Sequence, residues 1–205
     1  MSRSTTMARS NKISFVPNLL TIFRLILALP YIVLFSLLTG SFWKSCDQYI
    51  SILISLIVIF ALSMLSDFLD GYIARKTNSI SNFGKLFDPI ADKIIISTTL
   101  IFFALLNYTY VALTVVFIIR DLVVDGSRNL AAKNNLKIEA SIWGKLKTIM
   151  QIVAIFSIFG GVLFANNLNW QNFKILINIP MYIALFVSIV SGFLYFLPIV
   201  PYLKK

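Results

Sequence analysis

Four of the chain's eight acidic residues, Asp67, Asp70, Asp88 and Asp92, fall within one stretch of 26 residues. At about 100° per residue, spacings of three and four place each pair on one face of a helix. Asp67, Asp70, Gly71, Ala74 and Arg75 align on the first helix, and Gly84, Asp88 and Asp92 on the next. A short connection between the two helices puts both carboxylate pairs at the same end of a hairpin. Carboxylates gathered in this way repel one another and call for a cation among them. The chain has no His and a single Cys, Cys46, so a His/Cys zinc site, a His-based triad and an internal disulfide are all excluded. An all-oxygen donor set selects a hard ion, Mg²⁺ or Mn²⁺. Such ions commonly act on phosphates, neutralising charge and holding the reacting atoms in line. Gly71, Ala74 and Gly84 leave space for a bulky ligand to approach the helix backbone.

The elements that must position these groups are membrane helices. Of 205 residues, 59% are hydrophobic and 13% charged, and the mean hydropathy is +0.88, values that a solvated soluble domain does not reach. Windows of about 19 residues predict six spans, at 18–39, 49–75, 85–106, 110–132, 144–165 and 175–199. The run from Leu19 to Leu38 is too long for a signal-peptide core and contains Arg24, so it reads as an uncleaved first helix. The net charge of +10 would fit nucleic acid or anionic lipid, but its distribution matches a topology signal. Arg3, Arg9, Lys12, Arg75, Lys76, Lys85, Lys133, Lys137, Lys145, Lys204 and Lys205 all fall on one side of six crossings, and only Lys44 and Lys174 on the other. Both termini are therefore expected in the cytoplasm, and nucleic acid is not an expected partner. The expected organisation is a basic cytoplasmic segment at 1–16, a membrane domain at 17–201 and a short tail at 202–205. No internal repeat is visible.

Residues 67–92 read DFLDGYIARKTNSISNFGKLFDPIAD. This stretch resembles, with every spacing kept, the D-x-x-D-G-x-x-A-R, eight residues, G-x-x-x-D-x-x-x-D signature of the CDP-alcohol phosphatidyltransferases. The resemblance implies an all-α, polytopic six-transmembrane-helix bundle in a bacterial plasma membrane, commonly a homodimer, with a site for two divalent ions open to the cytoplasm. It implies Asp67, Asp70 and Asp88 as metal ligands and Asp92 as a metal-associated carboxylate and general base. It also implies that Gly71, Ala74, Arg75 and Gly84 line the CDP-lipid site, with Ser81 contributing a hydroxyl.

The acceptor alcohol must be read from other segments. PNLLTIFR at 17–24 is similar to the opening of the family's bacterial branch that makes phosphatidylglycerophosphate, where Pro17 and Asn18 would stand near CDP-diacylglycerol. Arg24 in this segment could simply snorkel to the interface. RDLVVDGSRNLAA at 120–132 and WGKLKT at 143–148 resemble further stretches of that branch, although Asp121 replaces the usual Glu and Asp125 adds an acid. Arg120 and Arg128, with Lys145 and Lys147, would suit a second anionic group such as the phosphate of sn-glycerol 3-phosphate. Asp121 is expected to orient Arg120 by pairing. Competing readings are another acceptor, as in cardiolipin, phosphatidylinositol phosphate or phosphatidylserine synthesis, and, outside that chemistry, a divalent-cation transporter or a lipid-binding scaffold. A transporter would place its acids in several helices near the bilayer midplane, whereas these cluster at one helix end.

Overall fold

The computed structural model describes residues 3–40, 45–77, 82–133, 142–164 and 170–196. They form six helices: α1 (Arg3–Thr39), α2 (Cys46–Thr77), α3 (Asn82–Leu105), α4 (Val111–Lys133), α5 (Ile142–Phe164) and α6 (Trp170–Phe196). The chain is an all-helical, polytopic membrane protein. Among the described residues, four helices are long and apolar enough on their own to cross a bilayer, over Leu19–Thr39, Cys46–Ile73, Trp143–Phe164 and Gln171–Leu194. The apolar part of α3 is shorter, Lys93–Leu105, and α4 carries Arg120, Asp121, Asp125 and Arg128 within its length. The two helices that fall short of a plain membrane span are thus helices on which the sequence places candidate site residues. The first of the four spans, Leu19–Thr39, agrees with the one expected at 18–39. Helix α1 itself begins earlier, at Arg3, so its backbone runs helical through the basic stretch that precedes the apolar span.

The chain divides into two compact units, Met1–Thr99 and Leu100–Lys205, with the division inside α3. In the first unit, α1 packs on α2. The buried positions of α1 are Thr21, Arg24, Ala28, Tyr31, Phe35 and Leu38, spaced three and four apart, which marks one continuous helix face. Leu53, Leu56, Phe60, Ser63 and Asp70 form the corresponding buried face of α2. Tyr31 and Phe35 stack edge to face with centroids 5.0 Å apart, and the Tyr31 hydroxyl lies 2.6 Å from Thr99 Oγ1 in α3. The outward faces carry Leu29, Val33, Leu65 and Phe68, all exposed, the surface a helix presents to lipid.

In the second unit α6 packs against both α4 and α5, around Phe103, Phe117, Ile155, Phe159 and Met181. Helix α3 ends in a Schellman cap. Asn107 takes the left-handed conformation (φ 61°), Tyr108 N–H donates to Phe103 O at 2.8 Å, and Asn107 N–H donates to Ala104 O at 3.1 Å. An Asn tolerates this conformation better than other non-glycine residues. The turn is fastened by α6. Lys174 Nζ donates to Asn107 Oδ1 at 2.6 Å and sits 4.4 Å from the centre of the Tyr110 ring. Asn178 accepts from the Thr109 hydroxyl at 2.6 Å and donates to Tyr108 O at 2.9 Å.

The α5–α6 contact depends on Gly161. A Cβ there would stand 3.1 Å from Ile177 Cβ and collide with its Cγ2, and a β-branched side chain has little rotamer freedom to move away. Gly161→Ala is expected to destabilise the protein by about 1–3 kcal/mol, as overpacking does. At its neighbour Gly160, an added methyl group would meet nothing within 4 Å, so Gly160→Ala should leave the melting temperature in detergent unchanged or slightly raised. Equal losses for the two would show that the close approach does not limit packing.

Candidate functional site

In the first unit the seam between α1 and α2 turns from apolar to charged at one end. Going from Phe35 toward Thr21 on α1, and from Leu53 toward Asp70 on α2, the buried residues change from Phe and Leu to Ser63, Ser66, Arg24, Thr21 and Asp70. Arg24 is 1% exposed. Its Nη1 donates to Asp67 Oδ1 at 2.8 Å and its Nη2 to Asp70 Oδ2 at 3.1 Å. Thr21 Oγ1 donates to the same Asp70 oxygen at 3.3 Å. Asp70 is buried, while Asp67 is 43% exposed at its side chain.

The two carboxylates, one turn apart on α2, therefore converge on one cation, and that cation is the Arg24 guanidinium. Both acids lie in the C-terminal half of α2, about two to three turns before its end, and two carboxylates one turn apart in a poorly solvated seam require a positive partner. Snorkelling would put the Arg24 head group in water, and the burial of the whole residue corrects that expectation. Thr21 and Arg24 belong to the PNLLTIFR segment that the sequence sets near the lipid substrate, but motif spacing does not reveal that they pair with Asp67 and Asp70. A weaker signal for them exists, since they lie three apart on the buried face of α1 that continues through Ala28 and Tyr31.

The other predicted members of this site are placed less completely. Pro17, Asn18, Ala74, Arg75, Gly84, Asp88 and Asp92 lie on helical backbone, but their side chains fall outside the described ones, and Ser81 lies outside the described residues altogether. Gly71 follows Asp70 and is half-buried. Among the described residues no group of three acidic, His or Cys side chains comes together. What is described fits a hard cation in donor chemistry, being carboxylate oxygens from successive turns already turned toward one positive charge.

In the second unit, Arg120 and Lys147 share one carboxylate. Arg120 Nη1 donates to Asp121 Oδ1 at 2.9 Å, and Lys147 Nζ donates to both Asp121 oxygens at 2.8 Å. The expected pairing of Asp121 with Arg120 is present, and the bridge to Lys147 is an addition. Arg120 also reaches α6, with Nε donating to Ser188 O at 2.8 Å and Nη2 to Ser191 Oγ at 2.9 Å. Gly192 leaves room for this side chain, since a Cβ there would lie 3.3 Å from Arg120 Nε.

Arg120 and Lys147 are thus brought together, whereas Lys145 is exposed. Two residues apart on a helix is about 200°, so Lys145 and Lys147 face opposite ways. The Arg128 side chain lies outside the described ones. One turn beyond Lys147, Gln151 is buried with neither amide atom hydrogen-bonded among the described residues. With Ser188 and Ser191 it adds a polar lining that the apolar character of α5 and α6 does not foretell.

Comparison with known proteins identifies the family. The description of the CDP-alcohol phosphatidyltransferases matches residues 14–192. The chain belongs to that family. It is accordingly a phosphatidyl-transferring enzyme, of a family that uses divalent metal ions. It is 41% identical over 202 residues to the CDP-diacylglycerol–glycerol-3-phosphate 3-phosphatidyltransferase of Mycoplasma genitalium, covering 92% of this chain and 85% of that protein. It is 40% identical over 193 residues to the protein of the same name from Mycoplasma pneumoniae, covering 88% and 85%. The one from Bacillus subtilis is 33% identical over 144 residues, 68% of this chain and 70% of that protein. The family match spans both compact units, so the Arg24 and Arg120 clusters belong to one family domain in sequence.

Proposed function

We propose that this enzyme transfers the phosphatidyl group of CDP-diacylglycerol to sn-glycerol 3-phosphate, giving phosphatidylglycerophosphate and CMP. The observation that carries the reading is the convergence of Asp67 and Asp70 on a single cation in the C-terminal half of α2, within a chain whose relatives are named for this reaction.

Asp67, Asp70, Asp88 and Asp92 would hold two Mg²⁺ or Mn²⁺ ions. When bound, the ions offset the charge of the pyrophosphate and of the departing CMP. The chain's own residues do the rest. Asp92 accepts the proton of the acceptor hydroxyl as its oxygen forms a bond to the lipid-side phosphorus and the bond from that phosphorus to CMP breaks. Gly71, Ala74 and Gly84, with Arg75, Ser81, Pro17 and Asn18, form the cradle for the CDP-lipid. Arg120 and Lys147, with Arg128, hold the acceptor's phosphate through charge-assisted hydrogen bonds. The basic segments orient both termini and the active end toward the cytoplasm of a bacterial plasma membrane, where two copies associate.

The test is CMP release from CDP-diacylglycerol by the purified protein with Mg²⁺ or Mn²⁺, offering one acceptor at a time. Release with glycerol 3-phosphate, and its loss on chelating the metal, is the expected result. Release only with phosphatidylglycerol, inositol phosphate or serine would replace the acceptor and leave the reaction class standing.

A further inference from the structure

We infer that Arg24 is the resident counter-cation of the aspartate site, competing with the divalent ion for Asp67 and Asp70 and so holding the metal weakly enough to exchange. The inference rests on the metal-site reading above. Arg24 spans the pair, 2.8 Å from one carboxylate and 3.1 Å from the other, and is 1% exposed. A guanidinium keeps its charge, and its planar fork matches two acceptors at once. A divalent ion that takes oxygens of these carboxylates must either displace the guanidinium or stand within a few ångströms of it. At that distance like charges repel strongly in a poorly solvated setting. Thr21 holds the same Asp70 oxygen that Arg24 does, so Asp70 keeps a neutral donor when the guanidinium yields.

A residue that only tied α1 to α2 would behave differently. Its loss would loosen the carboxylates and weaken metal binding along with the fold. A counter-cation gives opposite signs, because its loss destabilises the metal-free protein yet tightens the metal.

The experiment uses the full chain in detergent, with Mn²⁺ binding followed by electron paramagnetic resonance and thermal melting read with and without Mn²⁺. For Arg24→Gln the expected results are a lower melting temperature without metal, a Mn²⁺ dissociation constant lower than wild type by about tenfold or more, and a larger upward shift of the melt on adding Mn²⁺. Arg24→Lys keeps the charge but loses the fork, so its affinity should fall between the two, and it tests the idea even where the Gln variant does not fold. Unchanged or weaker Mn²⁺ binding in these variants overturns the inference. Asp70→Asn in the same assay separates the two levels: if it binds Mn²⁺ as wild type does, the metal-site reading itself fails.

Discussion

Asp70→Asn should lower kcat/KM for phosphatidyl transfer by about 10³-fold, the scale on which enzymes lose rate when a group stabilising transition-state charge is removed. Asp70 is the buried member of its pair and meets both Arg24 and Thr21. Asn keeps the shape but removes the charge that a hard ion requires. It also leaves Arg24 with less compensation in a buried setting, where breaking an ion pair costs about 3–5 kcal/mol. Activity must therefore be read beside the melting temperature, at a temperature where the variant is folded. Asp47→Asn is the matching control, since Asp47 lies in the exposed first turn of the same helix and its loss changes net charge equally. A comparable fall in both would show that overall charge, and not the site, controls the rate.

Lys147→Met should raise KM for glycerol 3-phosphate by about 10- to 100-fold, the equivalent of one charged hydrogen bond, while KM for CDP-diacylglycerol stays within about twofold. Lys147 sits beside Arg120 through their shared partner Asp121, so it adds positive charge where the acceptor's phosphate is proposed to bind. Met retains the apolar stem, which limits the packing loss. Lys145→Met is the informative comparison. In sequence the two lysines are equivalent candidates, but Lys145 is exposed, and its substitution should leave both KM values near wild type. If Lys145 proves the more damaging, the phosphate pocket lies on the other face of α5.

What can be read from the residue string is what depends on near neighbours along it. Asp67 and Asp70 converge because three residues of helix place them there, and four of the described helices follow directly from apolar runs whose length matches a bilayer. The adjacent pairing of Asp121 with Arg120 is likewise within reach. The partner of the aspartates is not, because Arg24 lies 43 and 46 residues away from them in sequence, and helix periodicity says nothing about which faces of two helices meet. The choice between Lys145 and Lys147 is hidden for the same reason: their opposite phases are evident, but the face of α5 that packs on α6 is a tertiary fact. Helix α1 extends past its expected start because hydropathy marks where a helix enters lipid, whereas hydrogen bonding continues it through the polar turns beyond.

The turn that closes α3 also sets an order on biosynthesis. Its polar groups at Asn107, Tyr108 and Thr109 find their partners on Lys174 and Asn178, which lie 67 to 70 residues later. Until α6 has been made, the turn between α3 and α4 lacks those partners, and its carbonyl and side-chain groups must turn to water at the membrane surface. The final helix therefore works as a latch, and the connection between α3 and α4 reaches its native pairing only once Lys174 and Asn178 are in place.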